Sequence, residues 1–117
     1  DLNERFEDII GVTLYDDRPL QTIVFWVSDR SKNYVLTKPL HESQRNIRGE
    51  QEEALRHQHP ALTGGRFFSI DCIENYELLR ELCAFGADLL VLSPTDIRQK
   101  VFDRVAEHLK AYDALLK

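Results

Sequence analysis

The chain has 117 residues, of which 43% are hydrophobic and 30% are charged, and its formal net charge is −5. This length and apolar content fit one domain with its own core. The negative charge excludes an overall positive surface, so we do not expect this chain itself to bind duplex DNA. Its longest apolar runs, TIVFWV and DLLVL, are far shorter than the roughly 20 residues that cross a bilayer, so we expect a soluble chain.

Both cysteines lie within apolar patterns rather than in a CxxC pair, and no signal-peptide pattern is present. These features favour a reducing, cytoplasmic location. Because the chain starts at Asp1 and contains no methionine, we expect it to be a piece of a longer protein. No motif predicts a cofactor.

The first part of the chain predicts a lead-in helix and then a strand with two apolar faces. Residues 2–10 carry apolar groups at helical spacing and end at Gly11, which suits a helix C-terminal cap. After a turn, residues 21–27 are β-branched and aromatic, and both phases of their alternation are apolar. A short helix beginning near Ser28 must end by Lys38, because the residue before a proline is disfavoured in the α region. We therefore expect KPLHESQ at 38–44 to begin an extended segment.

The middle of the chain alternates between polar and apolar segments. Residues 49–59 are polar helix formers, followed by a loop with two glycines, and we predict a short exposed helix in solvent. Residues 66–72 predict a strand with one buried and one mixed face. A helix over roughly residues 76–85 follows, with Asn75 as its N-cap and a stripe of leucines facing the core.

The last part predicts a buried strand and a long amphipathic helix. The strand is ADLLVLSP, and Ser93, Pro94 and Asp96 form a helix-start pattern. The helix extends to about Leu116. One continuous apolar stripe, which predicts that the helix lies on a flat surface, contains Ile97, Val101, Val105, Leu109, Tyr112 and Leu116.

This order of elements predicts an α+β fold, a ferredoxin-like two-layer sandwich. Its β-α-β-β-α-β core carries an extra N-terminal helix, an inserted short helix and a long C-terminal helix. We assign residues 1–19 to a lead-in segment and residues 20–117 to the domain.

Four segments together resemble the C-terminal extension of WYL-domain transcriptional regulators. They are FEDIIGVT at 6–13, KPLHESQ at 38–44, NYELLRELCAFGADLLVLSP at 75–94, and the terminal helix. The resemblance covers nearly the whole chain. It implies a parent regulator in which an N-terminal winged helix-turn-helix reads DNA and a small β-barrel precedes a ferredoxin-like extension that supports dimerisation and effector binding. The segment GEQEEALRHQHPALTGG at 49–65 departs from the family, in which many members have a short hairpin.

The KPLHESQ segment has three interpretations, and the sequence leaves them open. His41 and Ser43 could serve catalysis, but neighbours in sequence seldom have the geometry of a catalytic triad. Alternatively, Ser43 and Gln44 satisfy backbone groups while His41 lies at a seam between domains. The third interpretation is an edge that contacts a small-molecule or nucleotide effector, with Arg45 and Arg48 binding a phosphate.

The sequence also predicts an uncovered sheet face. If helices cover one face, the apolar strands leave large side chains on the other, and Trp26 and Phe67 are expected to meet the terminal helix, a second copy or the missing barrel. Tyr76 is a further interface candidate. We predict no metal site, since His57 and His59 lack a third ligand. Whether Cys72 and Cys83 are close stays open.

We therefore predict the ligand-sensing and dimerisation module of a WYL-family regulator. We expect a homodimer without enzymatic activity, cofactor or membrane association, whose parent protein contacts DNA only through its missing N-terminal domains. The alternative is a stand-alone ferredoxin-like domain that binds a ligand or a protein and has no regulatory role.

Overall fold

A computed structural model describes residues 18–117 of the chain. The lead-in helix expected at residues 2–10 lies outside these residues. The elements run in the order β1 Leu20–Val27, α1 Lys32–Thr37, β2 Arg45–Ile47, α2 Gly49–Gln58, β3 Arg66–Ile73, α3 Tyr76–Ala84, β4 Leu89–Ser93 and α4 Thr95–Leu116, with a short 3₁₀ turn at Gly86–Asp88 between α3 and β4. Within this range the fold is α+β, as the sequence predicts.

The four strands form one antiparallel sheet in the order β2-β3-β1-β4. β1 and β3 pair along their full length, from Leu20 opposite Ile73 to Val27 opposite Arg66. β4 lies on the other side of β1, and the three-residue β2 forms the opposite edge. The two long strands β1 and β3 thus form the centre of the sheet, and β4 and β2 form its edges.

The first face of the sheet carries the main core. Phe25 of β1 and Phe68 of β3 stack with their ring centroids 5.6 Å apart. Side chains from three helices cover them, and each fully buried one contributes about 1.5–3 kcal/mol. The buried cluster consists of Ile23, Phe25, Val27, Val35, Phe68, Ile70, Cys72, Leu78, Leu82, Leu89, Val91 and Ile97.

The second face is covered by the chain itself. Residues 49–65, which we call the insert, comprise α2 and the loop after it, and Leu55 and Leu62 of the insert pack against Trp26, Ile47 and Phe67. Phe67 is 0% exposed and Trp26 is 9% exposed. The insert therefore covers Trp26 and Phe67, and the expectation that the terminal helix, a second copy or the missing barrel covers them is wrong. The short exposed helix predicted at residues 49–59 is observed as α2, which has no buried residue, although its Leu55 packs on this face.

One arginine ties the insert down, in an arrangement that we call the Arg56 clasp. The Arg56 guanidinium donates hydrogen bonds to the carbonyls of Leu62, Gly64 and Gly65, at 3.2, 2.8 and 3.1 Å. The same guanidinium lies 4.9 Å from the ring centroid of Phe67, a cation–π distance. A polar helix thereby becomes the cover of an aromatic ring.

The far end of the insert is held by β1 and the turn after it. The indole Nε1 of Trp26 donates to the Gly64 carbonyl at 3.1 Å, and the Gly65 amide donates to Asp29 Oδ1 at 2.9 Å. Gly65 has φ 69°, and a Cβ at this position would collide with the Trp26 side chain. Only glycine fits this close approach.

The long helix α4 is only partly packed. Its first turns lie on β4 and α3, where Ile97 is buried and Val101 is half-buried. Gln21 Nε2 donates to Asp96 at 3.0 Å, and Lys100 Nζ lies 2.7 Å from Glu74 Oε1. From Phe102 onwards the large apolar side chains of the helix are exposed. The stripe predicted to lie on a flat surface does so only at its beginning.

Candidate functional site

The KPLHESQ segment forms a turn, not the extended segment that its proline suggests. Gln44 folds back over it: its backbone N–H donates to the His41 carbonyl at 3.0 Å, and its side-chain Oε1 accepts the Leu40 N–H at 2.9 Å. Gln44 Nε2 donates to the Val35 carbonyl near the end of α1, at 3.2 Å. The side-chain oxygen and nitrogen of Gln44 are therefore both hydrogen-bonded to the backbone of this chain.

Ser43 connects the turn to β3. Its Oγ accepts the Asp71 amide N–H at 2.7 Å and lies 3.1 Å from the Asp71 carbonyl. It also lies 2.7 Å from His41 Nδ1, which accepts the Ser43 N–H at 3.1 Å. Ser43 and Gln44 thus bond to backbone groups of their own chain, as in the second interpretation of the KPLHESQ segment.

Arg45 points to the second face of the sheet, beside a group of polar residues. Its Nε and Nη2 donate to Ser69 Oγ at 3.3 and 3.1 Å, and Nη2 lies 3.4 Å from Asp71 Oδ2. Thr22 Oγ1 in turn donates to Asp71 Oδ1 at 2.7 Å. Ser69 is buried, whereas the Arg45 side chain is 60% exposed. Ser69 and Asp71 thus hold the Arg45 guanidinium in position, and the side chain remains open to solvent.

A groove of about 610 Å³ between the sheet and α2 has Arg45 among its lining residues. Val24 and Ile47 form its floor, and Ala54 and Leu55 of α2 contribute to its wall. This volume lies within the range of small-molecule sites, which combine apolar walls with a few polar groups. Of the five predicted effector residues, only Arg45 lines this groove.

The other predicted effector residues do not converge on it. Arg48 lies at the N-terminus of α2, where its Nε is 3.5 Å from Glu52 Oε1 and its side chain is 62% exposed. His41 lies in the turn, half-buried. The five predicted effector residues are close together in the sequence, but the fold places their side chains in different parts of the structure.

Tyr76 is largely exposed at the start of α3, and its ring contacts two arginines. The guanidinium carbons of Arg80 and Arg104 lie 5.8 and 5.2 Å from its centroid. Because Arg104 belongs to α4, this contact joins the two helices. Tyr76 thus has a packing role in this chain and is also accessible to a partner.

The remaining predicted candidates do not form a chemical site. Among residues 18–117, no group of three or more histidine, cysteine or acidic side chains is arranged to hold a metal ion. Cys72 and Cys83 are both free thiols, and burial raises the pKa of the Cys72 thiol. A buried thiol with a raised pKa is a weak nucleophile.

The second half of α4 is exposed, although the sequence predicted that its apolar stripe lies on a flat surface. Apolar residues follow one another here in steps of three and four, the spacing of a coiled-coil seam. They are Phe102, Val105, Leu109, Tyr112 and Leu116, and we call them the α4 stripe. A groove of about 710 Å³ between α4 and the end of α3 adjoins its first residues.

A family model described as the WCX domain matches residues 19–109, which is most of the chain. The chain belongs to the WCX domain family. WCX domains are C-terminal extensions associated with WYL-type regulators, so the match confirms the resemblance seen in the sequence. They are modules of regulators and are not a known enzyme family. No curated protein matches the chain.

Among the helices described in this WCX domain, none combines the length and the apolar content that a bilayer span requires. Its exposed apolar residues on α4 instead alternate with charged ones such as Glu107 and Lys110, as in a helix with one apolar side.

Proposed function

We propose that this WCX domain is the dimerisation and ligand-sensing module of a cytoplasmic WYL-type regulator. It performs no chemistry itself, and other domains of the regulator contact DNA. The observation that carries the proposal is the α4 stripe, five large apolar side chains that are all more than half exposed within 15 residues of one helix. A contiguous apolar surface of this kind marks an interaction site.

The size of the α4 stripe supports a second copy of the chain as its partner. Its exposed side chains offer roughly 500–700 Å², close to the ~800 Å² that each partner contributes to a standard interface. Two helices that present apolar groups in steps of three and four pack together along those groups. The groove between α4 and α3 extends this surface at one end.

Ligand sensing is supported by the groove beside Arg45. Its wall is α2, a helix without a buried residue that is held by the packing of Leu55 and by the Arg56 clasp. A ligand that prefers one position of α2 would favour that arrangement of the domain and thereby change how it meets its neighbours. Arg45 is the strongest of the five effector candidates, because Ser43 and Gln44 bind their own chain and His41 and Arg48 lie outside the groove.

We assign the ferredoxin-like arrangement to residues 20–117. The antiparallel order β4-β1-β3-β2 supports this assignment, since two split βαβ units with α1 and α3 on the same face would produce it. In this assignment α2 interrupts the connection between β2 and β3, and α4 is added after the last strand.

The dimer is tested by sedimentation velocity on the 117-residue chain and on the variant Leu109→Lys. Lys110→Ala is the matched control, because Lys110 is the next residue and lies off the α4 stripe. We expect the wild type and the control to form dimers and Leu109→Lys to dissociate, since burying an unpaired ammonium costs several kcal/mol. A wild-type chain that is monomeric at high micromolar concentration, or a Leu109→Lys variant that dimerises equally well, contradicts the proposal.

A further inference from the structure

Arg45 is the charged residue that lines the groove, and the oppositely charged Asp71 lies beside it, next to the groove's lining. Arg45 and Asp71 lie side by side, with Nη2 and Oδ2 3.4 Å apart. Each is positioned by a hydroxyl group from the sheet, Arg45 by Ser69 and Asp71 by Thr22. The Arg45–Asp71 pair therefore has no net charge but a local dipole at the edge of the groove.

Neither charged group has all of its hydrogen-bonding capacity in use. A guanidinium has five N–H groups, and Arg45 directs Nε and Nη2 to Ser69 and Asp71. A carboxylate accepts about four hydrogen bonds, and Asp71 accepts one from Thr22 beside its contact with Arg45. A ligand can therefore join the pair without breaking it.

Apart from Arg45, uncharged polar and apolar side chains line the groove, and the apolar ones suit an aliphatic group. Val24 and Ile47 form the floor next to Arg45, and Leu55 faces them from α2. Because Arg45 and these three side chains line the same groove, a single small molecule can contact all of them.

These features together define the ligand. We propose that the groove binds a free α-amino acid with an aliphatic side chain, its carboxylate on Arg45, its ammonium on Asp71 and its side chain on Val24, Ile47 and Leu55. A simple carboxylic acid would meet the repulsion of Asp71, and a simple amine that of Arg45. Only a molecule with both charges on one carbon matches the pair. This inference rests on the ligand-sensing half of the proposed function and gives the ligand a chemical class.

The experiment measures binding of L-leucine to the 117-residue chain by ligand-observed NMR and titration calorimetry. Isovalerate lacks the ammonium of leucine and isoamylamine lacks its carboxylate, so the two compounds separate the charges. We expect saturable binding of leucine and at least about tenfold weaker binding of each analogue, since a charge-assisted hydrogen bond is lost in either case.

Two variants locate the binding. Arg45→Ala and Asp71→Asn each remove one charge, and the asparagine keeps an oxygen that can accept from Thr22. We expect both to weaken leucine binding about tenfold or more. Arg48→Ala is the matched control, because Arg48 is a nearby arginine with equal exposure that does not line the groove, and it should bind leucine as the wild type does. Circular dichroism shows whether each variant is folded.

Three results would overturn the inference: no saturable leucine binding at millimolar concentration, equal affinity for isovalerate or isoamylamine, or equal loss of binding in Arg48→Ala. The analogue series uses the unaltered chain, so it decides the question even if a variant fails to fold. Sedimentation of the same samples reports dimerisation separately, so a domain that dimerises without binding leucine refutes the ligand class alone.

Discussion

The insert and the second half of α4 show opposite relations between composition and burial. The insert is polar, and none of the residues of α2 is buried, yet it covers Phe67 completely. The second half of α4 carries an apolar stripe, yet its side chains lie in solvent. Apolar residues predict that something will cover them, whereas polar residues do not predict that they cover nothing.

The physical reason lies in where each segment is attached. The insert is connected at both ends to strands of the sheet, and the Arg56 clasp and Asp29 hold its loop against Trp26. α4 is attached only through its first turns, and with a length of about 33 Å it extends past the surface on which it begins. A polar segment that is connected at both ends can cover a core, whereas an apolar helix that is attached only at its start extends away from it.

The largest expected effect is that of Phe67→Ala. Phe67 is fully buried between the sheet and the insert, so removing its ring leaves a cavity and should lower the free energy of unfolding by about 3–5 kcal/mol. Urea titration followed by circular dichroism measures the loss. A change below about 1 kcal/mol would mean that the insert does not cover this residue in solution.

Arg56→Ala should have the next largest effect, because three carbonyls lose their shared donor. We expect a loss of about 1–3 kcal/mol and a red shift of the fluorescence of Trp26, the only tryptophan in the chain. Arg48→Ala is the control: this arginine forms an exposed ion pair with Glu52 on the helix surface, so the loss should stay below about 0.5 kcal/mol. Equal effects of both variants would show that the clasp does not hold the loop.

Asp29 makes part of this attachment dependent on pH. The hydrogen bond from Lys32, together with that from the Gly65 amide, lowers the pKa of the Asp29 carboxyl. A lowered pKa in the folded state means that the stabilisation is present at neutral pH and is lost as the pH falls below about 4. The wild type should therefore be more stable than Asp29→Asn at pH 7, and the difference should shrink at pH 3. A difference that is constant between pH 7 and pH 3 would contradict this.

The smallest effect is expected for Phe102→Ala, which makes the same change as Phe67→Ala on the exposed stripe. Because Phe102 is 63% exposed, the stability of the monomer should change by less than about 0.5 kcal/mol. Measurements at low protein concentration, where a dimer does not contribute, make this comparison. A loss near that of Phe67→Ala would place Phe102 in a core that the structure does not show.

Local patterns in the sequence predicted the elements that depend on local causes. The helix expected over residues 76–85 is observed at Tyr76–Ala84, and its cap Asn75 accepts the Leu78 amide at 2.8 Å. The KPLHESQ turn was missed because the Gln44 side chain decides it by bonding to Leu40 and to Val35 nine residues away. A proline biases only its immediate neighbour, which is a weaker influence than these bonds.

The sequence predicted only part of the candidate site, because the rest of the site also depends on contacts between distant residues. Arg45 was named for its charge, but its partner Asp71 lies 26 residues later and meets it only because β2 pairs with β3. Trp26 and Phe67 were correctly expected to need a cover, and the wrong cover was assigned to them. Their burial depends on Arg56 reaching back to Phe67, a contact that no periodic pattern announces.

By itself, the sequence determined the α+β class, the two apolar faces of β1, the long amphipathic helix and the family. These follow from the spacing of apolar residues and from caps and turns, which act over a few positions. Only the tertiary structure decided what covers Trp26 and Phe67, which charges stand next to each other and which apolar residues of α4 remain exposed. Such outcomes depend on contacts between segments far apart in the chain, and these are fixed by the way the strands pair.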